Sequence, residues 1–216
     1  MTASAGSMSI PPTANPYAAL PDSGDDSPRM QACRNALRSA PYQMPPLRTA
    51  VGGAGAECAH ITALALLDQK LSSSGGSVAV DSAAVLSLVT RWASGAALSG
   101  VCPAVQASDL ATERGTMMAY AGQLTGRGCP VPTVAGTIEL PGTIATQSVC
   151  GQRVDQSAVS PGDLVFWQYS SYVPSRAGVA VGDGQVVSVD PVTDQVVLAA
   201  LPVGRDVRVK RVLTTA

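Results

Sequence analysis

The chain has 216 residues, of which 46% are hydrophobic and only 13% charged, with a formal net charge of -1. That apolar content supports a packed core, so the chain as a whole is not disordered, and the lack of clustered Lys and Arg argues against a nucleic-acid groove. Aromatic residues make up just 4%, so the core has to be assembled from Ala, Val and Leu.

Residues 1–45 are rich in Pro and Ser and read as a flexible N-terminal segment, with one short helix over Gln31–Ala40 that ends before Pro41. Ala56–Leu71 predicts the first strong helix, its apolar face formed by Ile61, Leu64, Leu67 and Leu71, and Ser72–Gly76 breaks it. A second helix is expected over Asp81–Ala93, capped by Asp81 or Ser82, with Val85, Leu86, Val89 and Trp92 along one face. Gly and Pro punctuate the stretch from Ser94 to Ile138, which holds one further helix over Asp109–Leu124. Beyond it the apolar period changes from 3.6 to 2. Leu164–Tyr169, Ala177–Val181, Gln185–Val189, Gln195–Ala200 and Val207–Val212 read as short strands, and Gly182-Asp183-Gly184 as a tight hairpin turn. The Arg and Lys residues of Arg205–Arg211 alternate with Val and Asp, as on the solvent face of a strand. Helices followed by an antiparallel meander describe an α+β domain.

No apolar run reaches membrane-spanning length; the best, Ile61–Leu67, is far too short. Met1–Leu20 has neither a basic n-region nor a continuous apolar h-region, which leaves a cytoplasmic chain or an exported one lacking its leader. The five cysteines favour export. Cys33, Cys58, Cys102, Cys129 and Cys150 are dispersed, form no CxxC pair and have a single histidine for company, so no metal or cofactor is implied and each is a disulfide candidate. Cys102 is expected to pair with Cys129, or else with Cys150 or an N-terminal cysteine.

Four segments in order carry a resemblance. Asp81-Ser82-Ala83-Ala84-Val85-Leu86 stands where a DCSGLV helix start would be, and Leu140-Pro141-Gly142-Thr143 with Gln147 is similar to an LPRTSxxQ segment. Ser160-Pro161-Gly162-Asp163-Leu164-Val165-Phe166-Trp167 resembles a PGDLVFF strand entry, and Arg176 to Gly184 an HVGIYLGDG strand and turn. Together they resemble the NlpC/P60 family of peptidoglycan endopeptidases over roughly residues 56–212. The resemblance implies a papain-like α+β fold, N-terminal helices packed on an antiparallel β-sheet, within residues 46–216. Ser82 and Arg176 stand farther apart than the family's cysteine and histidine, by about the length of residues 93–138, so that stretch is expected to be an insertion.

The family's chemistry needs a thiolate at a helix N-terminus, a histidine on the neighbouring strand, and a polar residue that orients the histidine. The matching positions hold Ser82, Arg176 and, 12 residues on, Ser188. A serine without a base is a poor nucleophile, and an arginine accepts no proton near neutral pH. The catalytic set is therefore degenerate, and a pseudoenzyme is expected. The tyrosine that precedes the family's helix start has no counterpart in Leu71–Gly76. Ser82 read on its own is an N-cap, Arg176 a surface residue at a strand start or a plug in the old groove, and Trp92 and Trp167 core packing or a ligand platform. Ser82, Arg176, Ser188, Trp92 and Trp167 are the binding-site candidates. His60 reads as a helix-surface or capping residue, and Cys58 as half a disulfide rather than a displaced nucleophile. The expected function is binding, of an envelope protein or a peptidoglycan peptide, in cell-wall maintenance or its regulation. The alternatives are an active peptidase with unorthodox residues, or an unrelated secreted α+β binding module.

Overall fold

The computed structural model describes residues 45–71, 77–120, 131–132 and 136–213. The chain divides into a unit of residues 1–45 and one of residues 46–216, and the fold is that of the second. The helix expected over Gln31–Ala40, with Cys33 and Cys129, lies outside the described residues.

Among the described residues the chain forms helices α1 (Ala54–Ala65), α2 (Val78–Ser99) and α3 (Ala107–Tyr120), a two-strand ribbon of β1 (Val131–Pro132) and β2 (Ile138–Glu139), and the short α4 (Ile144–Gln147). Strands β3 (Gln152–Val154), β4 (Leu164–Ser170), β5 (Val173–Gly182), β6 (Gln185–Val189), β7 (Val196–Ala200) and β8 (Arg208–Arg211) follow. They make one sheet in the order β3-β8-β4-β5-β6-β7, antiparallel throughout. The α+β arrangement expected from the sequence is the one observed.

Strand alternation divides the sheet into two faces. Phe166, Ala177, Val179, Val187 and Val189 enter the main core with Ala59, Leu66, Val85, Leu86 and Val89 of the helical layer. Val165, Ala180, Val186 and Val209 lie on the other face in a smaller cluster with Val154 and Ala158. Each edge of the sheet is covered in part, that of β7 only at its Val196 end. Residues 68–71 run along β7, with Asp68 N–H donating to the Val196 carbonyl and Leu71 N–H to that of Asp194, while Leu47 bonds β3 through Arg153 and Asp155. Such cover shortens the free edge that would otherwise template pairing with another chain.

The helix α1 ends at Ala65, short of the expected Leu71, and its buried face is only partly the expected one, with Leu64 and Leu67 packed against the core and Leu71 buried beyond the helix. Ile61 is 47% exposed, and the helix instead buries Gly55, Ala56, Cys58, Ala59, Thr62 and Ala63. Small residues win because α2 passes so close: a Cβ on Gly55 would lie 3.1 Å from Ala97 Cβ and 3.2 Å from the Ala93 carbonyl oxygen. α2 is longer than expected at both ends, and every residue from Asp81 to Thr90 is buried. A helix covered on all sides shows no single apolar stripe, which is why the sequence pattern located it but misjudged its ends.

The segment 93–138 begins inside α2 and contributes α3, which lies against α2 through Leu110 and Met117 and two ion pairs. Arg114 Nε donates to Asp81 Oδ1 at 2.5 Å, and Arg91 pairs with Glu113 at 2.7 Å. Cys102 is bonded to Cys58 of α1, which corrects the expected Cys102–Cys129 pairing; Cys150 is disulfide-bonded as well. The end of α2 and the start of α1 lie side by side, and that proximity decides the bond.

The Ser-Pro-Gly-Asp turn and the last strand meet in a buried polar cluster. Gly162 has φ +89°, and a Cβ there would stand 2.7 Å from Leu213 and 3.0 Å from Ala59, so only glycine fits. Asp163 accepts from the Ser160 N–H, as a turn aspartate should, but its main partner is Arg211, which donates to both carboxylate oxygens at 2.7 Å. Arg211 is only 7% exposed and also donates to the Thr49 and Ala158 carbonyls and to Ser160 Oγ. The solvent-face reading of Arg205–Arg211 is thus corrected at its last residue. Burial pushes the Asp163 carboxyl up, against the lowering by Arg211 and by the Ser160 N–H.

Asp163→Ala leaves the Arg211 charge buried and unpaired and is expected to cost about 3–5 kcal/mol in denaturant unfolding; a loss below about 1 kcal/mol would show that the cluster is not structurally required. Cys58→Ser opens a loop spanning 44 residues and is expected to cost about 4 kcal/mol on the chain-entropy account. Mass spectrometry of non-reduced peptides is expected to join Cys58 to Cys102, and a Cys102–Cys129 peptide would contradict it.

Candidate functional site

Position 82 lies deeper in its helix than the sequence suggests. α2 starts at Val78 with Ser77 in the N-cap position, so Ser82 belongs to the second turn and is not the cap. The Val80 and Asp81 N–H groups already bond to the Ser77 carbonyl, and one turn further on the backbone donors are spent within the helix. The free donors and the positive end of the dipole, which a thiolate needs, are therefore upstream of Ser82. Ser82 itself is 2% exposed.

Arg176 on β5 stands opposite Trp167 on β4, and Ser188 on β6 stands opposite Gly178 on β5. Alternation puts these three side chains on one face, because Ala177, Val179, Val187 and Val189 between them turn toward the helices. Gly178 permits the close approach: a Cβ there would lie 2.6 Å from the Val187 carbonyl oxygen and 3.1 Å from Ser188 Cβ. The Arg176 guanidinium donates to the Val189 carbonyl at 3.0 Å. Its charge also helps to hold the Asp190 carboxyl below its usual value, after the larger effects of the Thr193 and Val192 N–H groups. The structure thus gathers Arg176, Ser188 and Trp167, while Ser82 and Trp92 sit on α2, across the plane of the sheet. No hydrogen bond or ion pair joins Ser82 to Arg176 or Ser188 among the described residues. The two tryptophans are likewise apart: Trp92 packs against the main core and Trp167 against the smaller cluster.

The remaining reactive side chains are engaged. Cys58 is oxidised and offers no thiolate. His60 is neither a surface residue nor a cap, since its Nδ1 donates to the Val181 carbonyl at 2.6 Å and pins α1 to β5. Gln147, fully buried, donates to the Ala83 and Pro141 carbonyls and so fastens the Leu140–Thr143 segment beside Ser82. A cleft of about 230 Å³ opens at the glycine-rich start of α1, bordered by Pro161, Asp163 and Arg211, and none of the five sequence candidates lines it. No cluster of His, Cys, Asp and Glu suited to a metal ion occurs among the described residues.

No protein-family model matches the chain. Over 51 residues, 24% of this chain, it is 41% identical to a protein described as a probable endopeptidase p60 in Listeria innocua, and equally to one in Listeria monocytogenes. The chain spans only 11% and 10% of the length of these relatives. Similar solved structures include RipD from Mycobacterium tuberculosis, described as a non-catalytic NlpC/p60 domain protein adapted to peptidoglycan binding (19% identity, TM-score 0.39, 75% of this chain and 100% of that one). The P60 domain of an antigen from M. avium paratuberculosis gives 19% identity and a TM-score of 0.39 over 74% of this chain and 96% of its own. NlpC1 from Trichomonas vaginalis gives 16% and 0.41 over 76% and 46%. In its four ordered motifs and over the 51 matched residues, the chain is similar to the p60 endopeptidases.

Proposed function

We propose that this protein is a cell-wall-associated NlpC/P60 domain that acts by binding and does not hydrolyse. One observation carries the reading: the family's nucleophile position holds a buried serine in the second turn of α2, away from the helix's free N–H groups. The base position supports it, since Arg176 is committed to the Val189 carbonyl and cannot take up a proton. Its ligand is a peptidoglycan peptide or an envelope protein, and its compartment is the cell envelope or beyond, in keeping with the disulfide. No helix among the described residues is long and apolar enough to cross a membrane. The segment 93–138 serves as the part peculiar to this chain, with α3 laid along the start of α2 and its outer face available to a partner.

The purified protein is expected to co-sediment with isolated peptidoglycan sacculi and to release no soluble muropeptides. Fragments that appear with the native protein and vanish in Ser82→Ala would overturn the non-hydrolytic reading. The double substitution Ser82→Cys with Arg176→His is expected to stay inactive, because position 82 remains outside the first turn; recovery of turnover would show that only the side chains were missing.

A further inference from the structure

Three cations crowd the helix-side face of the sheet at its β3-β8-β4 end. Lys210 lies directly opposite Arg153 across β3 and β8 and opposite Leu164 across β8 and β4, with Arg208 two residues before it on the same face. Leu164 and Phe166, the β4 partners of Lys210 and Arg208, belong to the main core, which identifies the face. Arg208 is held over the ring of Tyr169, 4.5 Å from its centre. Among the described residues the buried Tyr169 hydroxyl has no hydrogen-bond partner.

This grouping works against the stability of the free protein. Like charges facing each other across two strands destabilise a sheet, and an unpartnered buried hydroxyl adds a desolvation cost. Among the described residues none of Arg153, Lys210 and Arg208 forms an ion pair. Asp155, whose carboxyl feels Arg48 and Arg153, has its side chain already taken by the Ser157 N–H and hydroxyl. Lys210, half-buried, has its ammonium pushed down by burial, then by Arg153 and Arg208. A single anion placed over Lys210 and Arg208 would remove the repulsion and supply what these side chains lack. Two residues apart on one face of β8, Arg208 and Lys210 stand close enough for the two oxygens of one carboxylate to meet both.

We propose that Lys210 and Arg208, with Arg153 at the rim and Tyr169 holding Arg208 in place, form a subsite for a carboxylate of an acidic peptide. Taking the stem peptide of the cell wall as the bearer of that carboxylate rests on the function proposed above. The test titrates the full chain with an L-Ala–γ-D-Glu–diaminopimelate tripeptide, the same peptide with its carboxylates amidated, and inorganic phosphate, following backbone amides by NMR. The free tripeptide is expected to shift the amides of Arg153, Tyr169, Arg208 and Lys210, the amidated one to leave them in place, and phosphate to bind more weakly. Lys210→Gln and Arg208→Gln are each expected to weaken tripeptide binding about tenfold, the loss of one charge-assisted contact. Lys210→Gln is also expected to melt no lower than the native chain, since it relieves repulsion. Equal binding of the amidated peptide, unaltered affinity in both variants, or saturation by phosphate alone would overturn the assignment. Sacculus sedimentation separates the two readings. Sacculi bound equally by the native chain and both variants leave the binding function standing and sink the subsite. Tripeptide shifts at the stripe without sacculus binding do the reverse.

Discussion

The buried pair of Asp163 and Arg211 is the constraint on which the rest of the domain's geometry depends. It joins the turn that opens β4 to the last strand of the sheet, and the remaining guanidinium hydrogens reach back to Thr49 near the start of the folded unit. Three parts of the chain remote in sequence are thereby brought to one place. β8 can then lie between β3 and β4, although β4 to β7 follow one another as simple neighbours. Moving two charges out of water is costly, and here the cost is offset by near-complete pairing: two carboxylate oxygens, two carbonyls and a hydroxyl all meet the guanidinium. Gly162 is the steric condition for this arrangement, since the turn presses against Leu213 and Ala59.

That cluster also marks where sequence reading succeeds and where it stops. The Pro-Gly-Asp turn was visible because glycine and aspartate have local reasons to be there. Arg211 was not: it shares the face of Val209, but as one more cation after Arg208 and Lys210 it passes for a solvent-facing residue, and only the return of β8 into the middle of the sheet buries it. The strands from Leu164 to Ala200 were legible from their period and turns, and Gln185–Val189 appears with the expected bounds. β3 and α4, three and four residues long, are too short to show a period. α1 was legible as a helix but only partly in its buried face, since large aliphatic residues draw the eye to Ile61 while contact with α2 selects for small ones.

The candidate site was readable in its residue types and less so in its geometry. That positions 82 and 176 carry no thiol or imidazole is plain from the sequence. That α2 begins a turn before Ser82 is not, because Ser77, Asp81 and Ser82 are all good capping residues and the N-cap in the structure makes no side-chain bond at all. The cationic stripe was legible only as three basic residues on separate strands. Cross-strand register, which no local pattern encodes, is what sets Arg153 against Lys210.

The bond between Cys58 and Cys102 encloses the whole of α2 in a covalent ring. Any proteolytic cut in the chain between those two cysteines, on either side of α2, leaves the pieces tied together. The central helix stays attached at both ends to the body it packs against, so a nicked molecule can keep its core. Such damage would be silent until the thiols are reduced, which makes the redox state of the compartment part of this protein's working lifetime.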